Sequence, residues 1–303
     1  MSKEQGAAAA GQPTTRRSPA AVLVLVTCTL GLWVSSARAD IYWSNQGSNS
    51  IGRASITGAN PNQSFVTGAS LPGQVAVNAE HIYWANQSGT VGRANRNGSA
   101  PNESFVSTGI SANEGPLGVA VTQHSLYWST GVMADFNQIG RSTLAGLGAN
   151  PTFVPFVTAV QLASDANYLY FATGSNTIGR VHLDGSGLNF LWITLPAGTY
   201  TQGVAVNDKH IYWTTLGGPI GRDTIDGNPL NVNQNFITGS HEPIGLTIDH
   251  NYLYWANFAA NTIGRDTIDG NPANINQSFI TGANKPYGVA VGCKQLLRHR
   301  GCT

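Results

Sequence analysis

Residues 243–280 read PIGLTIDHNYLYWANFAANTIGRDTIDGNPANINQSFI, and the fold is decided there. Four short runs rich in β-branched and aromatic residues are separated by Asn, Asp, Gly and Pro, which is strand chemistry punctuated by turn chemistry. The runs are Pro243 to Ile248, Leu253-Tyr254-Trp255, Ile263-Gly264-Arg265 and the Phe-Ile pair at Phe279. No segment has helical spacing.

The pattern recurs along the chain. An Ile/Leu-Tyr-Trp/Phe triplet places its tyrosine at Tyr42, Tyr83, Tyr127, Tyr170, Tyr212 and Tyr254, with spacings of 41, 44, 43, 42 and 42. Each is followed by an Ile/Val-Gly-Arg triplet, ending at Arg53, Arg93, Arg141, Arg180, Arg222 and Arg265. A Ser/Asn-Phe-Val/Ile element follows around Phe65, Phe105, Phe236 and Phe279, with Phe156 and Leu191 as looser versions. A Pro-x-Gly-Val-Ala-Val type run precedes the next triplet, at Pro72 to Val77, Pro116 to Val121, Gln202 to Val206, Pro243 to Ile248 and Pro286 to Val291; Val160 to Ala163 is a degenerate copy. Four strands per period of this length make one blade of a β-propeller. The expected fold is therefore all-β, a six-bladed β-propeller with four antiparallel strands per blade. Blades stacked face to face would bury both sides of each strand, so the apolar runs need not alternate.

The register says where the ring closes. After residue 39 the chain starts on a Tyr-Trp strand, the second of a blade, and the repeat ends on Tyr287 to Val291, a first strand with no partner strands after it. Pairing the N-terminal strands with the C-terminal strand completes the sixth blade and removes the open edges of an unclosed array.

The order Gly-Val-Ala-Val, Ile-Tyr-Trp, Ile-Gly-Arg, Asp-Gly and Phe-Ile resembles the YWTD repeat, the class B repeat of low-density-lipoprotein-receptor propellers, over residues 40–291. Looser kinship to NHL-type and streptogramin-lyase propellers is expected of the architecture. One departure is systematic. Where the family has Thr-Asp, this chain has Ser44-Asn45, Ala85-Asn86, Ser129-Thr130, Ala172-Thr173, Thr214-Thr215 and Ala256-Asn257. In the family that Asp ties neighbouring blades, so an Asn or Thr hydrogen bond must replace it here. The resemblance therefore implies the scaffold and not a receptor's partners.

Residues 1–39 read as a signal peptide: a polar lead with Arg16-Arg17, an apolar run from Ala20 to Val34, and Ala37-Arg38-Ala39, with cleavage after Ala39. The alternatives are an uncleaved anchor, a poor twin-arginine signal, and a weak lipid-attachment match at Cys28. The long lead points to a bacterial source and a secreted, periplasmic or cell-surface location. Cleavage would leave 12 of the 16 basic and 14 of the 15 acidic side chains, a net charge of −2, and no membrane span. Residues 292–303 form a C-terminal tail in which Cys293 and Cys302 either close a small disulfide loop or stay as two thiols.

Composition excludes some functions. Only 10% of the 303 residues are charged, against about 25% in an average soluble protein, so the electrostatic footprint of nucleic-acid binding is missing. Asp184-Gly185, Asp226-Gly227, Asp269-Gly270 and Asn97-Gly98 read as hairpin turns, without the alternating acids of a calcium loop. Asp223 and Asp266 read as single repeat-equivalent strand positions. His81, His124, His210 and His250 precede Tyr-Trp strands in separate blades, so no metal and no other cofactor is expected. The six Arg residues read as structural, their stems and guanidinium groups packed on an aromatic or carbonyl of a neighbour.

Groups that break the repeat are the better candidates for function, because the scaffold does not demand them. In the loops entering each first strand these are Glu114, Tyr200, His241, Glu242, Lys285 and Tyr287, expected as polar anchors and aromatic walls of a ligand-binding face at one end of the channel. The loops leaving each second strand add Asn45, Asn86, Asp135, Phe136, Thr215, Asn257 and Phe258. No catalytic residue is assigned. The first expectation is a monomeric module that binds a protein, peptide or glycan. The alternative is a hydrolase or lyase at the channel mouth, using the His241-Glu242 pair or a lactonase-like set of Glu114, Glu242, Asn45 and Asn86.

Overall fold

The computed structural model describes residues 39–110, 115–130 and 137–292. Among them are 24 strands in six four-stranded antiparallel sheets arranged as a ring. Blade 1 comprises β1 (Asp40–Asn45), β2 (Ser50–Ser55) and β3 (Asn62–Thr67), with β24 (Pro286–Gly292) as its innermost strand. Blade 2 is β4 (Pro72–Val77), β5 (His81–Asn86), β6 (Thr90–Asn95) and β7 (Asn102–Ser107). Blade 3 is β8 (Gly118–Val121), β9 (Ser125–Ser129), β10 (Gln138–Thr143) and β11 (Asn150–Pro155). Blade 4 is β12 (Leu162–Ser164), β13 (Tyr168–Ala172), β14 (Thr177–His182) and β15 (Asn189–Thr194). Blade 5 is β16 (Thr201–Val206), β17 (His210–Thr215), β18 (Ile220–Thr224) and β19 (Asn233–Ile237). Blade 6 is β20 (Pro243–Ile248), β21 (Tyr252–Asn257), β22 (Thr262–Thr267) and β23 (Asn276–Ile280). Apart from strands the described residues hold three single 3-10 turns, at Gln46–Ser48, Pro229–Asn231 and Pro272–Asn274.

The ring closes as the register requires. β24 pairs with β1 through Ile41↔Val291, Tyr42↔Ala290 and Trp43↔Val289. Arg96 of blade 2 clasps the seam: its Nη2 donates to the Gly292 carbonyl at 2.8 Å, while its own carbonyl accepts from the Tyr42 hydroxyl at 3.1 Å.

Five Trp residues of the triplets, Phe171 in blade 4 and all six Tyr are fully buried between blades. Each withdraws roughly 150–250 Å² from water, worth roughly 4–6 kcal/mol at about 25 cal/mol per Å² before the entropy of ordering is subtracted. The glycine of each Ile/Val-Gly-Arg triplet faces that ring within its own blade, and a Cβ on Gly264 would overlap Trp255. The middle strands are buried on both sides. The outermost strands are not, and alternate exposed and half-buried positions.

The six arginines are structural, with a refinement. Each lies over the aromatic of its own blade's outer strand: Arg53 over Phe65 (5.0 Å), Arg93 over Phe105 (3.8 Å), Arg141 over Phe153 (5.1 Å), Arg180 over Trp192 (3.2 Å), Arg222 over Phe236 (4.1 Å) and Arg265 over Phe279 (4.0 Å). The next blade touches the same ring with the glycine of its β-turn, as Gly98 does on Phe65 and Gly58 on Phe279. Those glycines are left-handed, with φ of 85° and 78°, where a side chain would be strained. Three sequence markers thus form one contact that joins each blade to the next.

This contact corrects two positions. The outer aromatics of blades 3 and 4 are Phe153 and Trp192, not Phe156 and Leu191, which are 82% and 68% exposed. Each outer strand is fixed by an Asn at its first residue, opposite the Arg across a bulge, as in Arg141↔Asn150 and Arg180↔Asn189. Counting from that Asn gives the aromatic its place.

Candidate functional site

The entry to each inner strand is built from backbone held by side chains. The residue before the strand's proline is left-handed in three blades: Leu71 (φ 43°), Glu242 (φ 51°) and Lys285 (φ 48°). This conformation costs a non-glycine residue about 1–3 kcal/mol unless its surroundings fix it. Here the N–H of Leu71 donates to Asn49 Oδ1 at 2.9 Å and that of Lys285 to Asn261 Oδ1 at 2.8 Å.

The missing Asp is replaced in two ways. Asn45, Asn86 and Asn257 are fully buried; their amides donate to the carbonyls of Gln63, Glu103 and Gln277 in the outer strand. Their Oδ1 atoms accept from Asn284, Ser70 and His241 of the incoming loop, at 2.9, 2.9 and 3.1 Å. These three are clamps, with no atom left for a ligand or a lactonase-like role. One residue earlier, hydroxyls at Ser44, Ser129 and Thr214 alternate around the ring with Ala85, Ala172 and Ala256. Each accepts from an inner-strand glycine N–H of its own blade: Gly288, Gly118 or Gly203. Ser129 and Thr214 also donate to the next blade, at the carbonyls of Val160 and Ile244.

These clamps bring entry and exit loops side by side. Leu216 N–H donates to the Tyr200 carbonyl (2.9 Å), Phe258 to Glu242 (3.2 Å) and Gln46 to Lys285 (3.2 Å). Blades 5, 6 and 1 therefore present three neighbouring pairs: Tyr200 with Leu216, Glu242 with Phe258, and Lys285 with Gln46. Tyr200 and Leu216 are 55% and 56% exposed, an apolar pair at the surface. His241, Glu242 and Lys285 are also exposed, and their side chains make no hydrogen bond or ion pair with one another. Gln46 Nε2 is shielded from solvent and lacks an acceptor. Tyr287 lies inside β24, half-buried, and burial pushes its phenol up to about 12. Glu114, Asp135, Phe136, Cys293 and Cys302 fall outside the described residues.

Composition and repeat counting do not single out Leu216 and Gln46, because each belongs to a hairpin whose length varies. Among the described residues no three His, Cys, Asp or Glu side chains are grouped to hold a metal ion. What the face offers chemically is contact area, one acid (Glu242) and two basic side chains (His241 and Lys285), on loops tied by hydrogen bonds.

Comparison with known proteins places the fold. No family model and no curated relative matches the chain. A structure of a nidogen–laminin complex contains a chain similar to this one, at TM-score 0.66 and 14% identity over 85% of this chain and 99% of that one. A functionally unknown protein from Desulfotomaculum acetoxidans matches at TM-score 0.57 and 11% identity, over 84% and 99%. The PQQ-bound aldose sugar dehydrogenase of Streptomyces coelicolor matches at TM-score 0.51 and 16% identity, over 86% and 90%. At these identities the likeness extends to the propeller fold, which serves a binding complex in one case and a dehydrogenase in another.

Proposed function

We propose that the protein is an extracytoplasmic binding module of YWTD-like type, using the entry face of blades 5, 6 and 1 to hold a protein, peptide or glycan. One observation carries this reading: three adjacent loop pairs, each joined by a backbone hydrogen bond, expose Tyr200, Leu216, Glu242, His241 and Lys285. An aromatic-aliphatic pair beside separated single charges suits a partner surface, with the apolar pair supplying contact area and the charges register. The signal-peptide pattern of residues 1–39 supports an extracytoplasmic location. The hydrolase or lyase alternative has less support, since His241 and Glu242 share one loop and Lys285 lies on another, and no hydrogen bond or ion pair joins their side chains.

The test is a screen of the protein against arrayed glycans, a peptide library and candidate surface proteins, repeated with Glu242→Ala combined with Lys285→Ala. Hits should weaken at least tenfold in the double variant. Undiminished binding there would sink this face as the site.

A further inference from the structure

The second residue of the outer strand makes a contact between blades. In blade 1, Gln63 Oε1 accepts from the Trp43 indole N–H (2.9 Å) and the Asn45 amide (3.3 Å). Its Nε2 donates across the boundary to the Thr281 carbonyl of blade 6 at 2.9 Å. Gln277 of blade 6 repeats this: Oε1 accepts from Trp255 (3.1 Å) and Asn257 (3.2 Å), and Nε2 donates to the Thr238 carbonyl of blade 5 (3.2 Å). Both halves of the carboxamide are used, an acceptor turned into its own blade and a donor turned to the preceding one.

Blade 2 has Glu103 at this position. Its Oε2 takes the acceptor half, with the Trp84 indole N–H at 2.9 Å and the Asn86 amide at 3.0 Å. Its Oε1 stands in the place of the donor. In the two glutamine blades Nε2 lies 3.5 Å and 3.8 Å from where a Cβ of Gly282 and Gly239 would be, and Glu103 Oε1 lies 4.0 Å from the same point on Gly68 of blade 1. The carbonyl that corresponds there to Thr281 and Thr238 belongs to Thr67. Oε1 is shielded from solvent and has no hydrogen-bond partner.

An ionised carboxylate only accepts, so an oxygen is set toward a carbonyl where the repeat sets an N–H. A buried acceptor without a donor carries the desolvation cost of the group. A proton on Oε1 removes the conflict. The neutral carboxyl keeps Oε2 as acceptor for Trp84 and Asn86 and gains an O–H for Thr67, matching glutamine in shape and in hydrogen-bonding sense. No charged group answers Oε1 instead. The hydrogen-bond partners of Glu103 are Trp84, Asn86 and Thr90 of its own blade, and residues 67 and 68 face it from blade 1. Arg93 lies over the Phe105 ring at 3.8 Å, and the ion pairs among the described residues, Arg53–Asp40 and His81–Glu80, leave Glu103 out.

We propose that Glu103 makes the boundary between blades 1 and 2 a pH-sensitive clasp, tightened when Oε1 takes up a proton and loosened when it ionises. The matching contacts from blade 1 to blade 6 and from blade 6 to blade 5 rest on glutamines, which do not titrate. Asn86, bonded to Glu103 Oε2, also holds the Ser70 N–H in the loop that crosses from blade 1 to blade 2, so the clasp acts on that loop. This inference is independent of whether the entry face binds a partner.

Thermal unfolding of the parent, Glu103→Gln and Gln277→Glu at pH 7 and pH 4 tests it. Glu103→Gln supplies the donor at either pH. It should raise the Tm by about 2–4 °C at pH 7, with the gain largely lost at pH 4, where glutamate side chains take up protons. Gln277→Glu should lower the Tm by a similar amount at pH 7 and recover most of it at pH 4. A Glu103→Gln variant with no gain at pH 7, or with the same gain at both pH values, would overturn the proposal, and so would Gln277→Glu at parental Tm at pH 7.

Discussion

On the perimeter of the disc the same three groups meet six times, an arginine, the aromatic beneath it and the turn glycine of the next blade. On the entry face the position before the inner strand is Leu71, Tyr200, Glu242 or Lys285, depending on the blade. The perimeter repeats because each blade must present the same surface to its neighbour or the ring will not close. Leu71, Glu242 and Lys285 share only a left-handed backbone, in loops held from below by Asn86, Asn257 and Asn45. Their side chains are free of the ring's demands. The contrast separates what holds the disc from what the disc holds out.

Breaking the ring should have the largest effect. Deletion of Pro286–Gly292 removes the strand that pairs with β1 and the carbonyl that Arg96 grips. The expected outcome is loss of the single cooperative thermal transition, followed by circular dichroism; a truncated protein of unchanged stability would contradict closure by β24. Overfilling one blade comes next. Gly264→Ala sets a methyl group against Trp255 and should destabilise by about 1–3 kcal/mol, a Tm fall of about 2–4 °C per kcal/mol in a domain of this size. A variant at parental Tm would mean that the Trp255 ring can move aside.

A smaller change of opposite sign sharpens the comparison. Asp223 and Asp266 are buried where blades 1, 2 and 4 have Ala54, Ala94 and Val181, and each has one carboxylate oxygen without a partner. Burial holds both carboxyl groups above their usual range. For an acid whose folded pKa is raised, the charged form is the one the fold disfavours. The cost is therefore absent below the unfolded-state pKa of about 3.9, grows as pH rises between the two values, and is complete above the folded one. Asp266→Ala should raise the Tm at pH 7 by about 2–4 °C, with the gain fading as pH falls below 4. An equal gain at both pH values would show that charge is not the cause.

The fold was legible in the chain because its repeat is dense: Tyr-Trp, Gly-Arg and Gly-Val-Ala-Val recur at nearly constant spacing, and their starting register exposes the closing strand. Blades 3 and 4 misled at Phe156 and Leu191. The outer strand is anchored by its first Asn through a bulge, and a bulge is invisible to a count of apolar residues. The entry face was legible in part, since Tyr200, Glu242 and Lys285 stand out as breaks in the pattern. Leu216 and Gln46 join them only through loop-to-loop hydrogen bonds. The alternation of Ser44, Ser129 and Thr214 with alanines, and Glu103 in the place of a glutamine, gain their meaning from contacts between blades that no local pattern encodes.

The most direct test of this division between scaffold and face is the Glu242→Ala, Lys285→Ala double variant, measured for Tm and for binding to whatever partner the parent protein captures in the screen. Both residues are exposed and form no ion pair, so stability should stay within about 0.5 kcal/mol of the parent, about 1–2 °C in Tm, while binding falls at least tenfold. Binding that persists in a variant of unchanged stability would contradict the account, and so would a large loss of Tm.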